Sequence, residues 1–219
     1  MDALVNINGD RVPTLELLLM LTVIALLPSI LVMMTSFTRI VIILSFVRNA
    51  LGVQQVPPSM VMVGISLFLT LFIMDPVISE INTNAYQPYT QEEITQEEAL
   101  RRAQEPMKEF MLRQTEISSI NMYIDLADLE PPEEDQLTEL PMTVIIPAFM
   151  TSELKRAFMS GFLLFLPFLL IDIVVSTTLM SMGMFMLPPA TIALPFKLLL
   201  FVTVDGWQLL FHTLVQSFR

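Results

Sequence analysis

The sequence contains no cysteine, which excludes disulfide bonds, thiolate metal sites and cysteine nucleophiles. Charged residues are also scarce: they make up 15% of the 219 residues, whereas hydrophobic residues make up 54%. An average soluble domain carries about 25% charged residues and a smaller apolar fraction. The composition is therefore typical of a membrane protein. The length allows about four spanning helices of about 20 residues each, with one region outside the membrane.

Motifs for catalysis and nucleotide binding are missing as well. The sequence has no glycine-rich phosphate loop, no paired-carboxylate motif and no serine nucleophile elbow. Its single histidine, His212, stands beside Phe211, and a metal site needs several ligands. We therefore expect no enzymatic activity, no cofactor and no metal, with His212 either packed in the protein or placed at the level of lipid headgroups.

The negative charge is concentrated in one segment. Residues 80–139 hold 15 acidic and 4 basic residues, which accounts for the whole net charge of −11. This predicts three regions: an apolar helical hairpin at 1–79, an acidic, water-facing helical insert at 80–141, and a second apolar hairpin at 142–219. The insert would repel phosphates, which excludes nucleic acid as a partner. Its charges form a solvated face or, alternatively, a surface for a basic partner.

The first apolar region contains two hydrophobic segments. Leu17–Thr38 is free of charge over 22 residues, and Ser59–Met74 follows after a stretch that carries Arg39 and Arg48. Because basic loops stay in the cytoplasm, these arginines predict a cytoplasmic loop and a periplasmic insert. Residues 1–13 lack the basic and apolar regions of a secretory signal, so we expect either a chain without one or a start near a mature terminus.

The acidic insert carries helix signals. After a predicted loop at Asn82–Thr90, capping-box patterns at Thr90–Glu93 and Thr95–Glu98 predict helix starts. The helix that follows is expected to kink or split at Pro106, and a second short helix is predicted at Ile120–Leu129. An apolar stripe at helical spacing indicates that the first helix buries one face. The stripe consists of Leu100, Ala103, Met107, Phe110 and Met111.

A methionine-rich turn at residues 180–189 separates the two apolar segments of the C-terminal region. Pro188 and Pro189 are expected to end the incoming helix, and Gly183 lets the chain bend. Methionine side chains are unbranched and flexible, so a cluster of them can fill an irregular gap and repack. The turn is predicted to be the tip of a helical hairpin that seals a passage. Ordinary core packing or lipid contact is the alternative.

Charged residues within the apolar segments predict contacts with protein. Asp172 lies eight residues before Met180 and Lys197 eight residues after Pro189, so both lie about 12 Å from the turn. The hairpin can bring them together as a buried ion pair, or each can find a partner on another subunit. A charged break is also expected at residues 153–156. Such features are tolerated where neighbouring protein satisfies them, which indicates one subunit of an assembly.

Asp172, Lys197 and Asp205 also support a second hypothesis. In a membrane transporter these three residues would relay protons or bind a small solute. Many transporters contain two related halves, and this sequence shows no convincing internal repeat. The transporter hypothesis is therefore the weaker of the two.

Four stretches of the sequence are unusual: MTSFTRI at 34–40, LGVQQVPP at 51–58, LPPATIALPFK at 187–197 and VDGWQL at 204–209. Together they resemble the FliP family, the export-gate proteins of bacterial flagella and injectisomes. The resemblance covers nearly the whole chain apart from the acidic insert, and the long runs of unusual residues make it specific.

The resemblance implies an all-α, membrane-associated protein that assembles in several copies with FliQ, FliR and other export-apparatus membrane proteins into an oligomeric export gate. Unfolded flagellar proteins would pass through its centre, at the inner membrane within the flagellar basal body. The family's gates sit largely above the membrane, which conflicts with four spanning helices. Carried over to this sequence, the gate positions are Met182, Met184, Phe185 and Met186, and the buried ion pair is Asp172 with Lys197.

Overall fold

The computed structural model of the chain describes residues 4–7, 10–53, 55–130, 132 and 134–218. Apart from one short hairpin, the described chain is helical, and the predicted all-α class is confirmed. The elements are β1 (Leu4–Ile7), β2 (Asp10–Pro13), α1 (Thr14–Met34), α2 (Phe37–Leu51), α3 (Ser59–Ile81), a π-helical turn (Asn82–Tyr86), α4 (Gln87–Thr90), α5 (Gln96–Gln114), α6 (Ile117–Leu126), a 3-10 helix (Glu134–Glu139), α7 (Met142–Ser181), α8 (Pro189–Thr203) and α9 (Gly206–Gln216).

The hairpin was not expected from the sequence. Strands β1 and β2 pair antiparallel, with Leu4 opposite Pro13 and Ile7 opposite Asp10. The pairing leads directly into α1, which begins at Thr14.

Helix α7 is the element on which the others pack, because α1, α2, α5, α6 and α8 all contact it. Its closest neighbour is α2. Where the two helices cross, Gly161 of α7 lies against the ring of Phe46 of α2, and a Cβ atom at position 161 would come within 2.5 Å of that ring. Only glycine allows the two helices to approach this closely. Residues of both helices are fully buried around the contact, among them Ile40, Leu44 and Phe149. The core thus lies between α2 and the N-terminal half of α7.

The charged residues at 153–156 do not interrupt α7, which runs unbroken through 40 residues, and the expected break is wrong. Glu153 is completely buried and forms an ion pair with Arg39, so its charge is satisfied inside the protein and the helix continues. Arg39 is correspondingly part of helix α2 and not of a cytoplasmic loop.

The predicted loop at Asn82–Thr90 is also helical. Helix α3 passes through Pro76 and continues into the π-helical turn and α4, so residues 59–90 form one helical stretch. The Thr83 hydroxyl donates to the Ser79 carbonyl over 2.9 Å, and the stretch packs against α5. Packing on a neighbouring helix overrides the turn preference of these polar residues.

Two helix pairs are sharply bent. The end of α1, from Pro28 to Met34, meets α2 at 77°, and α8 meets α9 at 61°. At the second bend, Asp205 adopts a left-handed backbone conformation with φ 49°. Within the described part of the chain, two helical stretches, Ser59–Thr90 and Met142–Ser181, are long and apolar enough to cross a membrane, and the number is up to four if each bent pair is one span.

In the acidic insert, the predicted cap at Thr95 is confirmed, since the backbone N–H of Glu98 donates to the Thr95 hydroxyl over 3.3 Å. The cap predicted at Thr90 is wrong, because Thr90 ends α4 and its hydroxyl donates to the Gln87 carbonyl. Pro106 is buried inside α5 without ending it.

The stripe of α5 is buried at one end only. Phe110 and Met111 lie in the core, whereas Leu100 is 59% exposed. The second helix, α6, begins three residues earlier than expected and ends at Leu126.

Candidate functional site

The methionine-rich turn is built by a glycine helix cap followed by a proline helix start. Gly183 has φ 75°, and its N–H donates to the Met180 carbonyl over 3.0 Å. The N–H of Met184 donates to the Leu179 carbonyl, also over 3.0 Å. These two bonds form a Schellman motif, in which glycine is favoured because it adopts positive φ without strain. The next helix, α8, begins at Pro189, where the missing N–H costs nothing.

The four predicted gate residues all lie on this turn, but their exposure differs. Met186 is 97% exposed, Phe185 77% and Met182 64%, whereas Met184 is half-buried. Large apolar side chains exposed to this degree indicate a surface that another molecule covers. The turn thus exposes large, flexible apolar side chains, while its backbone is fixed by the Schellman motif.

Asp172 and Lys197 meet at the base of the hairpin. The Lys197 ammonium donates to Asp172 Oδ2 over 2.6 Å and to the Ala50 carbonyl over 3.1 Å. The Lys197 side chain is 7% exposed and that of Asp172 33%. Lys197 therefore connects three elements: its own helix α8, α7 through the carboxylate, and the C-terminal end of α2 through the carbonyl.

Between the ion pair and the turn, the hairpin presents an apolar groove of about 490 Å³. Helix α7 lines it with Leu170, Val174 and Thr178, and α8 lines it with Ile192 and Phe196. Leu170, Val174, Ile192 and Phe196 are each between 39% and 63% exposed. One side of the hairpin is thus apolar from the turn to the Asp172–Lys197 ion pair.

The residues of the transporter hypothesis do not form one group. Asp205 lies eight residues beyond Lys197, at the bend after the end of α8, and it lines a separate surface pocket with Gln208 and His212. His212 is exposed, and Gln216 is its hydrogen-bond neighbour at 3.3 Å. Among the described residues, no group of three or more acidic, histidine or cysteine side chains is arranged to hold a metal ion.

A second buried ion pair, between Arg39 and Glu153, was missed by the sequence reasoning. Arg39 is 3% exposed; its Nε donates to Glu153 Oε2 over 2.8 Å, and a second nitrogen donates to Glu153 Oε1. Arg39 also donates to Gln114 and to the carbonyl and hydroxyl of Ser217, and its guanidinium lies 3.8 Å from the centre of the Phe218 ring. One arginine thus holds α2, α5, α7 and the C-terminal residues together.

The acidic insert pairs some of its charges locally. The guanidinium of Arg101, and then that of Arg102, hydrogen-bond to Glu98 and lower the pKa of its carboxyl to about 2. A hydrogen bond from Lys155 likewise lowers the pKa of the Glu116 carboxyl. Both acids stay ionised at every pH near neutrality.

Comparison with known proteins shows the family of the chain. The profile of the FliP family matches residues 20–214. The chain is 52% identical over 213 residues to the flagellar biosynthetic protein FliP of Pectobacterium carotovorum, covering 96% of this chain and 82% of that protein. It is 50% identical over 223 positions to the FliP of Bacillus subtilis, covering 100% of both chains, and 47% identical over 212 residues to that of Aquifex aeolicus, covering 97% and 89%. The chain belongs to the FliP family.

Proposed function

We propose that this protein is a structural, non-enzymatic subunit of the flagellar protein-export apparatus, which forms and gates a channel for unfolded substrate proteins. Its relatives are named flagellar biosynthetic proteins, which supports export over the transport of small solutes. Asp205 lines a pocket that contains neither Asp172 nor Lys197, which argues in the same direction, because a proton relay needs groups within hydrogen-bond reach.

The observation that carries the proposal is the turn itself. Met182, Phe185 and Met186 stand out from a cap whose backbone is fixed by two hydrogen bonds, and among the described residues no apolar surface covers them. Several copies of this turn around one axis would form a flexible apolar constriction. Such a constriction excludes water and ions when closed and repacks around a passing chain.

The Asp172–Lys197 pair is proposed to fix the position of the turn. Lys197 is buried, so α8 cannot slide along α7 without separating an ammonium from its carboxylate in an apolar setting. The third contact, to the Ala50 carbonyl, ties the hairpin to α2 and hence to the core. The constriction would then be held at a fixed position relative to the core of each subunit.

We further propose that the three regions, 1–79, 80–141 and 142–219, have different neighbours in the assembly. The two apolar regions would pack with other copies, with FliQ and FliR, with further export-apparatus proteins and with lipid of the bacterial inner membrane. The acidic insert would face the periplasmic side. This division follows the charge distribution, although the helix of residues 59–90 crosses the first boundary without a break.

Complementation tests the proposal. The chain is expressed in a flagellated bacterium that lacks its own FliP-family gene, and exported flagellar proteins are measured in the medium. We expect export to return only when the FliQ and FliR genes are also present. If the purified chain alone moves a small solute into vesicles and fails to restore export, the export function is wrong.

A further inference from the structure

An apolar groove lies where the acidic insert meets the first apolar region. It measures about 280 Å³, and its lining comes from α3, α5 and the C-terminal residues. The stacked rings of Phe110 and Phe218, 6.4 Å apart, form its floor, and Phe72, 60% exposed, forms one wall. The Arg39 guanidinium against the Phe218 ring fixes this floor in place. The groove is therefore preformed and suited to receive an apolar side chain.

Arg113 gives the rim of this groove a positive charge. Of the four basic residues in the acidic segment, Arg101 and Arg102 pair with Glu98, and Lys108 donates to the carbonyls of Thr138 and Leu140. Within the part of the chain that the structure describes, Arg113 is the one of the four without such a partner. An exposed cation beside an apolar groove predicts an occupant that carries an apolar side chain next to a carboxylate.

Helix α6 presents such a surface. Met122 and Leu126, 42% and 72% exposed, stand four residues apart in α6 and share one face, opposite the buried Ile120 and Ile124. Leu129, 40% exposed, follows the end of the helix. We call these three residues the α6 ridge. A large apolar surface in an otherwise acidic, water-facing region is unusual and marks a contact with protein.

Two carboxylates accompany the α6 ridge: Asp125 precedes Leu126, and Asp128 precedes Leu129; both are exposed. Asp128 has φ 51°, and its N–H and that of Leu129 close the end of α6 onto the carbonyls of Asp125 and Ile124. Glycine is the favoured residue at this position of a helix end, since positive φ strains other residues. The Asp128 carboxylate is thus present beside the ridge even though its backbone conformation would favour glycine.

We propose that the α6 ridge of one copy docks into the Phe72–Phe110–Phe218 groove of the next copy, with Asp125 and Asp128 facing Arg113 of that neighbour. The occupant is a second copy because the same chain supplies both the groove with its cation and the ridge with its anions. This inference rests on the proposed function, which requires several copies, and it specifies which surfaces join them. The contact is heterologous, so each copy binds two neighbours, and the copies form a ring or a helical arrangement.

Disulfide cross-linking tests this contact without background, because the sequence has no cysteine. The double variant Phe72→Cys/Leu126→Cys is expressed with its partner subunits and oxidised mildly in native membranes. We expect a ladder of dimers, trimers and higher species from the double variant, and monomers from each single variant. The matched control, Phe72→Cys/Leu100→Cys, carries a cysteine at another well-exposed position, away from the ridge, and should give no ladder.

Two results would overturn the proposal. Dimers from Leu126→Cys alone would show that two ridges meet each other. No ladder from the double variant, in cells where the unmodified chain restores flagellar export, would show that the groove has another occupant, such as lipid. The second result leaves the export function intact, whereas failure of the unmodified chain to restore export would count against the function and not against the contact.

Charge reversal provides a second readout in the same cysteine background. Arg113→Glu or Asp125→Lys alone should lower the ladder yield about tenfold, because like charges then face each other. Both changes in one chain should restore part of the yield, since positions 113 and 125 again carry opposite charges, while the unchanged Asp128 carboxylate still faces a like charge at position 113. Asp128→Gly should keep the fold, because it removes the backbone strain, and still weaken the ladder. Equal yields from all these variants would refute the charged part of the contact.

Discussion

Replacing Glu153 with glutamine removes the acidic partner of Arg39 and leaves a buried guanidinium without its counter-charge. Breaking a buried ion pair by removing one partner costs about 3–5 kcal/mol. Arg39 keeps neutral partners after the change, namely Gln114 Oε1 at 3.2 Å, two oxygens of Ser217 and the Phe218 ring. We therefore expect the lower end, about 3 kcal/mol, which corresponds to about a hundredfold in the folding equilibrium.

The measurement is the free energy of unfolding of the purified chain in detergent, followed by helical circular dichroism across a denaturant series. The matched control is Glu116→Gln, which breaks the pair with Lys155, 39 residues away, at a far more exposed site, and we expect no measurable loss there. A double variant, Arg39→Met/Glu153→Met, should recover much of the loss, because no unpaired charge remains buried. If Glu153→Gln unfolds like the Glu116→Gln control, or if the losses at positions 39 and 153 simply add, the two charges do not depend on each other.

Three further predictions concern packing and the hairpin. Asp172→Asn should impair assembly more than Lys197→Met, because it leaves the more buried Lys197 ammonium without its counter-charge. In a double-mutant cycle, the double substitution should recover part of the loss caused by either single change. Strictly additive losses would mean that the two residues have separate partners. Phe110→Ala should lower the free energy of unfolding by about 3–5 kcal/mol, since the ring is 3% exposed, and a chain that unfolds like the parent would contradict the burial. Gly161→Ala should lower the melting temperature by forcing α2 and α7 apart, whereas Gly64→Ala, with nothing within 4 Å of its Cβ, should not; equal melting would contradict the close approach.

The features of the C-terminal hairpin that the sequence predicted depend on local signals. Gly183 and the Pro188-Pro189 pair act within a few residues of where they stand, so the end of α7 and the start of α8 follow from the sequence alone. The contact between Asp172 and Lys197 spans 25 residues and one turn, so equal spacing on the two arms is informative. Local chemistry was sufficient for these parts of the site.

The Arg39–Glu153 pair depends on contacts that local patterns do not contain. The two residues are 114 positions apart, on helices that meet only in the folded chain. Arg39 next to an apolar run was interpreted as a loop residue, and Glu153 as part of a break. A signal was present, since two opposite charges within apolar segments need partners, but nothing in the sequence told which partner each would find.

Other differences came from signals that were present but not used. Asn8-Gly9, between the segments that form β1 and β2, is a sequence favoured in two-residue hairpins and could have predicted the pairing. At Asn82–Thr90 the polar residues suggested a loop, but contacts with α5 keep the segment helical. Tertiary packing decided this outcome and is not visible in a single segment.

The most direct test of the proposed gate is the permeability of cells that carry the assembled complex with Met184, Phe185 and Met186 all replaced by alanine. The change removes most of the apolar volume of the turn and leaves the Gly183 cap intact. Phe185→Met is the matched control, because it retains unbranched apolar bulk at the same position. If the turn forms the barrier, ions and small solutes will leak through the triple variant and not through the control. A triple variant that assembles normally and stays as tight as the parent would show that the barrier lies elsewhere.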